Sequence, residues 1–116
     1  MARAVRLFLV AGLLAAALAL AAPAHALRAY VCCASTIRLT KDGVLFTRLR
    51  HGTYSIRVAD RSSGHNFHLK GYSVNRATGI PFNGVRWWSV RFFAGHTYTY
   101  ICDAHPFTMR RTFRVF

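Results

Sequence analysis

The chain has 116 residues, with 16 Lys and Arg against 3 acidic residues, all Asp, a formal charge of +13 and 53% hydrophobic residues. That length supports one domain with a modest core once a leader is set aside, and leaves no room for a second. So few carboxylates exclude acid/base chemistry by paired Asp and Glu, and no Ser, His and acid arrangement can be placed, so an enzyme is not expected.

The N-terminus reads as a secretory signal. Arg3 and Arg6 open it, Leu7 to Ala22 is apolar, and Ala24-His25-Ala26 offers small residues for cleavage. Residues 1–26 are therefore expected to be a signal peptide, with a domain over 27–116, a periplasmic or secreted location, and His25 leaving with the signal. Retained instead, an apolar run of this length approaches the about 17 residues needed to span a bilayer and would anchor the chain. Without residues 1–26, fourteen Lys and Arg face Asp42, Asp60 and Asp103, a charge of +11. Such a balance favours an acidic partner. Export argues against nucleic acid, and a membrane partner is expected only if the signal stays uncleaved.

Cys32 and Cys33 come next. With Cys102 they make an odd number in an exported chain, so at least one thiol has no partner within the molecule. Neighbouring alpha-carbons lie about 3.8 Å apart, short of the roughly 4.4 Å usual for a disulfide, so a Cys32–Cys33 bond would be strained. If Cys102 binds metal, the pair is left to stay reduced, to form that strained ring, or to link two molecules into a dimer through Cys32 or Cys33.

From Leu27 onward short apolar alternations are separated by Gly, Asn, Asp and Pro, and no helix pattern emerges. The expected strands are Thr36 to Thr40, Val44 to Arg48, Thr53 to Ala59, Asn66 to Lys70, Arg86 to Phe92, Thr97 to Cys102 and Thr112 to Phe116. Lys41-Asp42-Gly43 reads as a hairpin turn. Alternation puts Tyr54, Ile56 and Val58 on one buried face, Trp88, Val90 and Phe92 on another, and Tyr98, Tyr100 and Cys102 on a third. Arg38, Arg57, Arg91 and Arg114 fall on solvated outer faces. The stretch from Gly71 to Gly84 has no clear strand and reads as a crossover between sheets. About seven short strands imply an all-β Greek-key sandwich.

The chemistry lies in the last loop, Cys102-Asp103-Ala104-His105-Pro106-Phe107-Thr108-Met109, with a thiolate, an imidazole and a thioether within eight residues. Upstream, Ser63-Gly64-His65-Asn66-Phe67-His68 adds imidazoles. Two His and one Cys with a weak axial Met form the donor set of a blue-copper electron-transfer site. In an extended strand His65 and Phe67 share one face and Asn66 and His68 the other, so His68 is not expected on the same metal as His65. His51 and His96 lie at turns and are expected exposed. Pro106 and Phe107 would make an apolar patch around His105, with Arg110 and Arg111 as a basic rim.

On these motifs the stretch from Gly52 to Phe116 resembles a plastocyanin/azurin-type cupredoxin of the small exported bacterial kind. The resemblance implies one type 1 copper ion, with Cys102 as the short thiolate ligand, His65 and His105 as imidazole ligands, Met109 as axial ligand, and Asn66 tying the His65 loop to the Cys102 loop. It implies a one-electron carrier with an acidic redox partner, a cytochrome or an oxidase. The alternatives are a copper-binding or delivery protein without redox traffic, and a metal-free sandwich serving as an interaction module.

Overall fold

The computed structural model describes residues 25–116. The predicted signal segment lies outside them, except that His25 and Ala26 are the first residues of β1 and pair with Tyr54 and Ser55. Ten strands follow in order: β1 (His25–Cys32), β2 (Thr36–Lys41), β3 (Val44–Leu45), β4 (Arg48–Leu49), β5 (Gly52–Asp60), β6 (His68–Gly71), β7 (Val74–Ala77), β8 (Gly84–Phe92), β9 (Thr97–Ile101) and β10 (Arg110–Val115). They form two five-stranded sheets, β3-β2-β1-β5-β8 and β4-β10-β9-β6-β7. Both sheets are mixed: β1 runs parallel to β5 and β10 parallel to β4, while the other pairs are antiparallel.

The alternation seen in the sequence is what buries the core. Tyr54, Ile56 and Val58 on β5, Trp88, Val90 and Phe92 on β8, and Tyr98 and Tyr100 on β9 all point inward and are buried. Rings dominate the space between the sheets. Phe113 meets Phe92 edge-on at 5.3 Å and stacks on Tyr98 at 5.6 Å, and Phe67 stacks on Tyr100 at 5.4 Å. Offset and edge-to-face packing at these separations adds to plain area burial. Arg38, Arg91 and Arg114 are exposed, and Arg57 is half-buried along its stem on the outer face of its sheet.

Four features depart from the expected strands. β1 was not expected, and it fills the centre of the first sheet between β2 and β5. The expected strand from Val44 to Arg48 is divided, because the chain passes from the first sheet in β3 to the second in β4, with Phe46 packed edge-on to Phe113 at 5.2 Å between them. The strand expected from Asn66 starts only at His68, leaving His65 to Phe67 in irregular backbone. Within the predicted crossover, Val74–Ala77 is a strand that pairs with β6, and only Thr78 to Asn83 crosses between the sheets. The Asp42-Gly43 turn is as expected, with φ of 51° and 77°, the left-handed pair that a tight hairpin requires.

Candidate metal centre

One end of the sandwich gathers the end of β5, the loop before β6, the end of β9 and the start of β10. Strand β9 delivers Cys102 to the core, where it is fully buried. The loop that follows closes on itself: the Cys102 N–H donates to the Met109 carbonyl at 3.0 Å, the His105 N–H to the Cys102 carbonyl at 3.1 Å, and the Met109 N–H to the His105 carbonyl at 2.9 Å. This pins both ends of the loop, so that Cys102, His105 and Met109 are held on one small ring of backbone. Met109 is buried, whereas His105 and Phe107 are exposed, the latter at 93%.

His65 comes to this ring from the other side. Its Nδ1 lies 3.1 Å from His105 Nδ1 and 3.7 Å from Cys102 Sγ, and His105 Nδ1 lies 3.8 Å from the same sulfur. Among the described residues this is the cluster of His, Cys and acidic side chains able to hold a metal ion. The triangle has the right size: metal–nitrogen bonds of about 2.0 Å and a metal–sulfur bond of about 2.3 Å place nitrogen and sulfur about 3.7 Å apart at an angle of about 120°, and two nitrogens about 3.1 Å apart at about 100°. The donor set would therefore suit a metal held by two imidazoles and a cysteine sulfur. Met109 is tied to the same loop by its backbone bonds to Cys102 and His105.

A hydrogen-bond network fixes the His65 loop against the Cys102 loop. The buried Asn66 side chain donates from Nδ2 to the Thr78 carbonyl at 2.9 Å and to Asp103 Oδ2 at 2.8 Å, and accepts at Oδ1 from the Asp103 N–H at 2.7 Å. Its backbone N–H points at Cys102 Sγ at 3.4 Å. Thr78 donates its hydroxyl to Asp60 Oδ2 at 2.8 Å and accepts the Phe67 N–H at 2.9 Å, and the Ser62 N–H donates to Asp60 Oδ1 at 3.2 Å. Every member of the network has a partner, as a rigid buried polar cluster demands. Burial pushes the Asp60 carboxyl up, partly offset by the Thr78 and Ser62 bonds.

The sequence reading put His65, Cys102, His105 and Met109 in one place, and the chain brings all four to the same pole. His68 stays out of the cluster, as expected. It instead faces Asp103, Nδ1 to Oδ1 at 2.8 Å, with Nε2 2.6 Å from Asn75 Oδ1. Parity alone does not describe the approach to β6, because Asn66 and Phe67 are both buried in irregular backbone. The supporting roles of Asp60, Thr78 and Asp103 were not foreseen. The one available signal was Asp103 itself, a rare carboxylate beside the ligand-type cysteine. His51 is exposed, while His96 is half-buried under the ring of Tyr72. All three cysteines are free thiols, and of the adjacent pair Cys32 is buried and Cys33 open to solvent.

Asp103 carries a pH dependence. Burial raises its carboxyl, but bonds from His68 and Asn66 and the charges of His68 and Lys70 outweigh this and hold it below the ordinary carboxylate value. A lowered acid stabilises the fold above its unfolded pKa and loses that contribution as pH falls through its folded pKa. Acidification from about pH 6 to about pH 3 should therefore lower the urea midpoint of the wild type more than that of Asp103→Asn. The difference between the two titrations isolates Asp103 from Asp60. Parallel profiles would mean that the His68–Asp103 pair contributes nothing.

Two mixed sheets packed as a sandwich, with a His-Cys-His cluster at one pole and Met109 beneath the same loop, define a protein of the cupredoxin fold. The copper protein rusticyanin is similar to it with a TM-score of 0.57 and 14% identity, over 78% of this chain and 76% of that one. A multicopper oxidase from Pediococcus acidilactici is similar with a TM-score of 0.50 and 16% identity, over 81% of this chain but 26% of the oxidase. No protein-family model and no curated protein matches the sequence.

Proposed function

We propose that the chain is an exported type 1 copper protein that carries single electrons, with one copper held by His65, His105 and Cys102 and, axially, by the thioether of Met109. The observation that carries this reading is the convergence of two imidazole nitrogens and one cysteine sulfur within 3.1 to 3.8 Å. Two imidazoles with a thiolate and a thioether suit copper better than zinc, whose structural sites prefer four strong donors in a tetrahedron. When bound, copper supplies a centre that takes up and returns one electron.

The chain's own groups hold that centre still. The backbone ring from Cys102 to Met109 and the Asn66 network keep the donors in place whichever charge the centre carries, and the Asn66 N–H draws electron density from the Cys102 sulfur. His105 is exposed beside Phe107 while Cys102 is buried, so a copper held by both would have its His105 side open to the surface.

The test is the visible spectrum after Cu(II) is added with Cys102 kept reduced. An intense thiolate-to-copper charge-transfer band is expected. Cu(II) bound without that band would replace the carrier by a delivery or storage role, and no binding would leave an interaction module. Met109→Leu should keep the band and raise the reduction potential, because an axial sulfur donor favouring the oxidised centre is lost. An unchanged potential would remove Met109 from the site.

Arg110 and Arg111 flank the loop and are exposed, and with a charge of +11 for residues 27–116 they would steer an acidic redox partner to the His105 edge. The rate of electron exchange with such a partner should fall about tenfold between low and physiological salt. A rate indifferent to salt would remove the steering.

A further inference from the structure

The pole opposite the metal cluster is built for a different contact. Strand β5 runs from Gly52 at that pole to Asp60 at the cluster, so roughly 27 Å of extended chain separates the two. The far pole gathers the segment before β5, the β6–β7 turn, the β8–β9 turn and the end of β10. Arg48 and Arg50 lie over the ring of Phe116 at 4.7 and 5.5 Å, Arg91 lies over Phe93 at 4.9 Å, and Tyr72 stacks on His96 at 4.1 Å with the planes 8° apart. Tyr72 and Phe116 remain 52% and 45% exposed.

Among the described residues no Asp side chain pairs with these guanidinium groups: the one ion pair is His68–Asp103, at the other pole, and the Asp toward this side is Asp42 in the β2–β3 hairpin. Arg48, Arg50 and Arg91 are exposed, and their charges are open to an outside partner. A second observation says which kind. Strand β1 enters the fold at this same pole, where His25 pairs with Tyr54, and the sequence immediately before it, Leu7 to Ala22, is the apolar run.

We infer that, with the N-terminal apolar run retained, this pole rests on an anionic phospholipid surface. Guanidinium groups bind phosphate oxygens in pairs, exposed aromatic rings settle at the level of lipid headgroups, and each basic residue near an anionic leaflet strengthens attachment about fivefold. Rings and guanidinium groups packed together, beside the entry of an apolar segment, suit a bilayer better than an acidic protein, which would need carboxylates alone. In this orientation His105 and Phe107 point away from the surface into water, open to a soluble partner. The inference goes beyond the copper reading and stands whether or not metal binds.

The test uses the full chain with vesicles of phosphatidylcholine, with and without phosphatidylglycerol, carrying a nitroxide on the lipid headgroup, and reads amide relaxation residue by residue. The apolar N-terminal run alone would keep this pole near either vesicle, so the readout is the part of the contrast that depends on lipid charge. On anionic vesicles, relaxation at His51, Tyr72 and His96 should exceed that at Ala104 to Thr108 several-fold, and on neutral vesicles this contrast should be several-fold weaker. Replacing Arg48, Arg50 and Arg91 together by Gln should weaken it likewise, whereas Gln at Arg28, Arg38 and Arg57, which removes the same charge from the outer face of the first sheet, should preserve it. Relaxation spread evenly, strongest at the Cys102 to Met109 pole, or equal on both vesicles overturns the inference without any variant. Equal loss in both triple variants overturns it as well, by reducing the effect to net charge.

Discussion

Cys102→Ser should abolish the intense visible band of the copper-loaded protein and weaken copper binding by orders of magnitude. The reason lies in the geometry of one atom. Cys102 Sγ lies within 3.8 Å of both imidazole nitrogens, is buried, and receives the Asn66 N–H. A serine oxygen at the same place is a hard donor on a shorter bond, and as a neutral hydroxyl it brings no charge to balance a cation in a dry site. The fold itself should survive, since the substitution is nearly isosteric and the Asn66 N–H keeps an acceptor. The measurements are a visible spectrum and a copper titration on the variant, beside its circular dichroism. An intense band that persists in a folded Cys102→Ser protein would remove the assignment, because no other described cysteine lies at this pole's ligand cluster.

The comparison between sequence and structure turns on where local signals are strong. Alternation at Tyr54-Ile56-Val58 and at Trp88-Val90-Phe92 was legible because each residue pair differs sharply in polarity, and the structure buries the residues so identified. The ligand set was legible because Cys102, His105 and Met109 share one loop. Strand β1 was hidden for a physical reason. Its hairpin turn to β2 uses Ala34 and Ser35 at φ of 52° and 53°, a left-handed pair normally given to Asn and Gly, so the usual turn signal is missing. The turn closes with its own backbone bond, the Thr36 N–H on the Cys33 carbonyl at 3.3 Å.

Two other misses share a cause. The passage from β3 to β4 and the short strand β7 lie in edges of two to four residues, which carry too few side chains to set a pattern. The polar network behind the ligands was hidden because its members lie far apart in sequence. Asp60, Thr78 and Asp103 are unremarkable singly and acquire meaning only when Asn66 meets Thr78 and Asp103 across separations of 12 and 37 residues and Thr78 meets Asp60. His68 shows the reverse case: strand parity already set it apart from His65, and its side chain has a carboxylate to hold instead.

Asn66→Ala tests that network as a whole and should be the most destabilising single change outside the apolar core, at about 3 kcal/mol. The side chain satisfies the Thr78 carbonyl, the Asp103 carboxylate and the Asp103 N–H at once, and alanine leaves these groups to find water in a largely buried space, at about 1–3 kcal/mol for each that fails. Asp103 is partly exposed and can recover a water, which is why the total stays below the sum. Urea unfolding of the metal-free protein should show a lower midpoint with an unchanged slope, the sign of lost stability and not of an altered unfolded state. Asn66→Asp should be worse than alanine near neutral pH, since it sets a second carboxylate against Asp103, and should improve on acidification as one of the two takes a proton. A midpoint for Asn66→Ala within about 0.5 kcal/mol of wild type would mean that the two loops are held by backbone bonds and core packing alone. The donors would then sit in place without Asn66, and the link from its side chain to the geometry of the cluster would be lost.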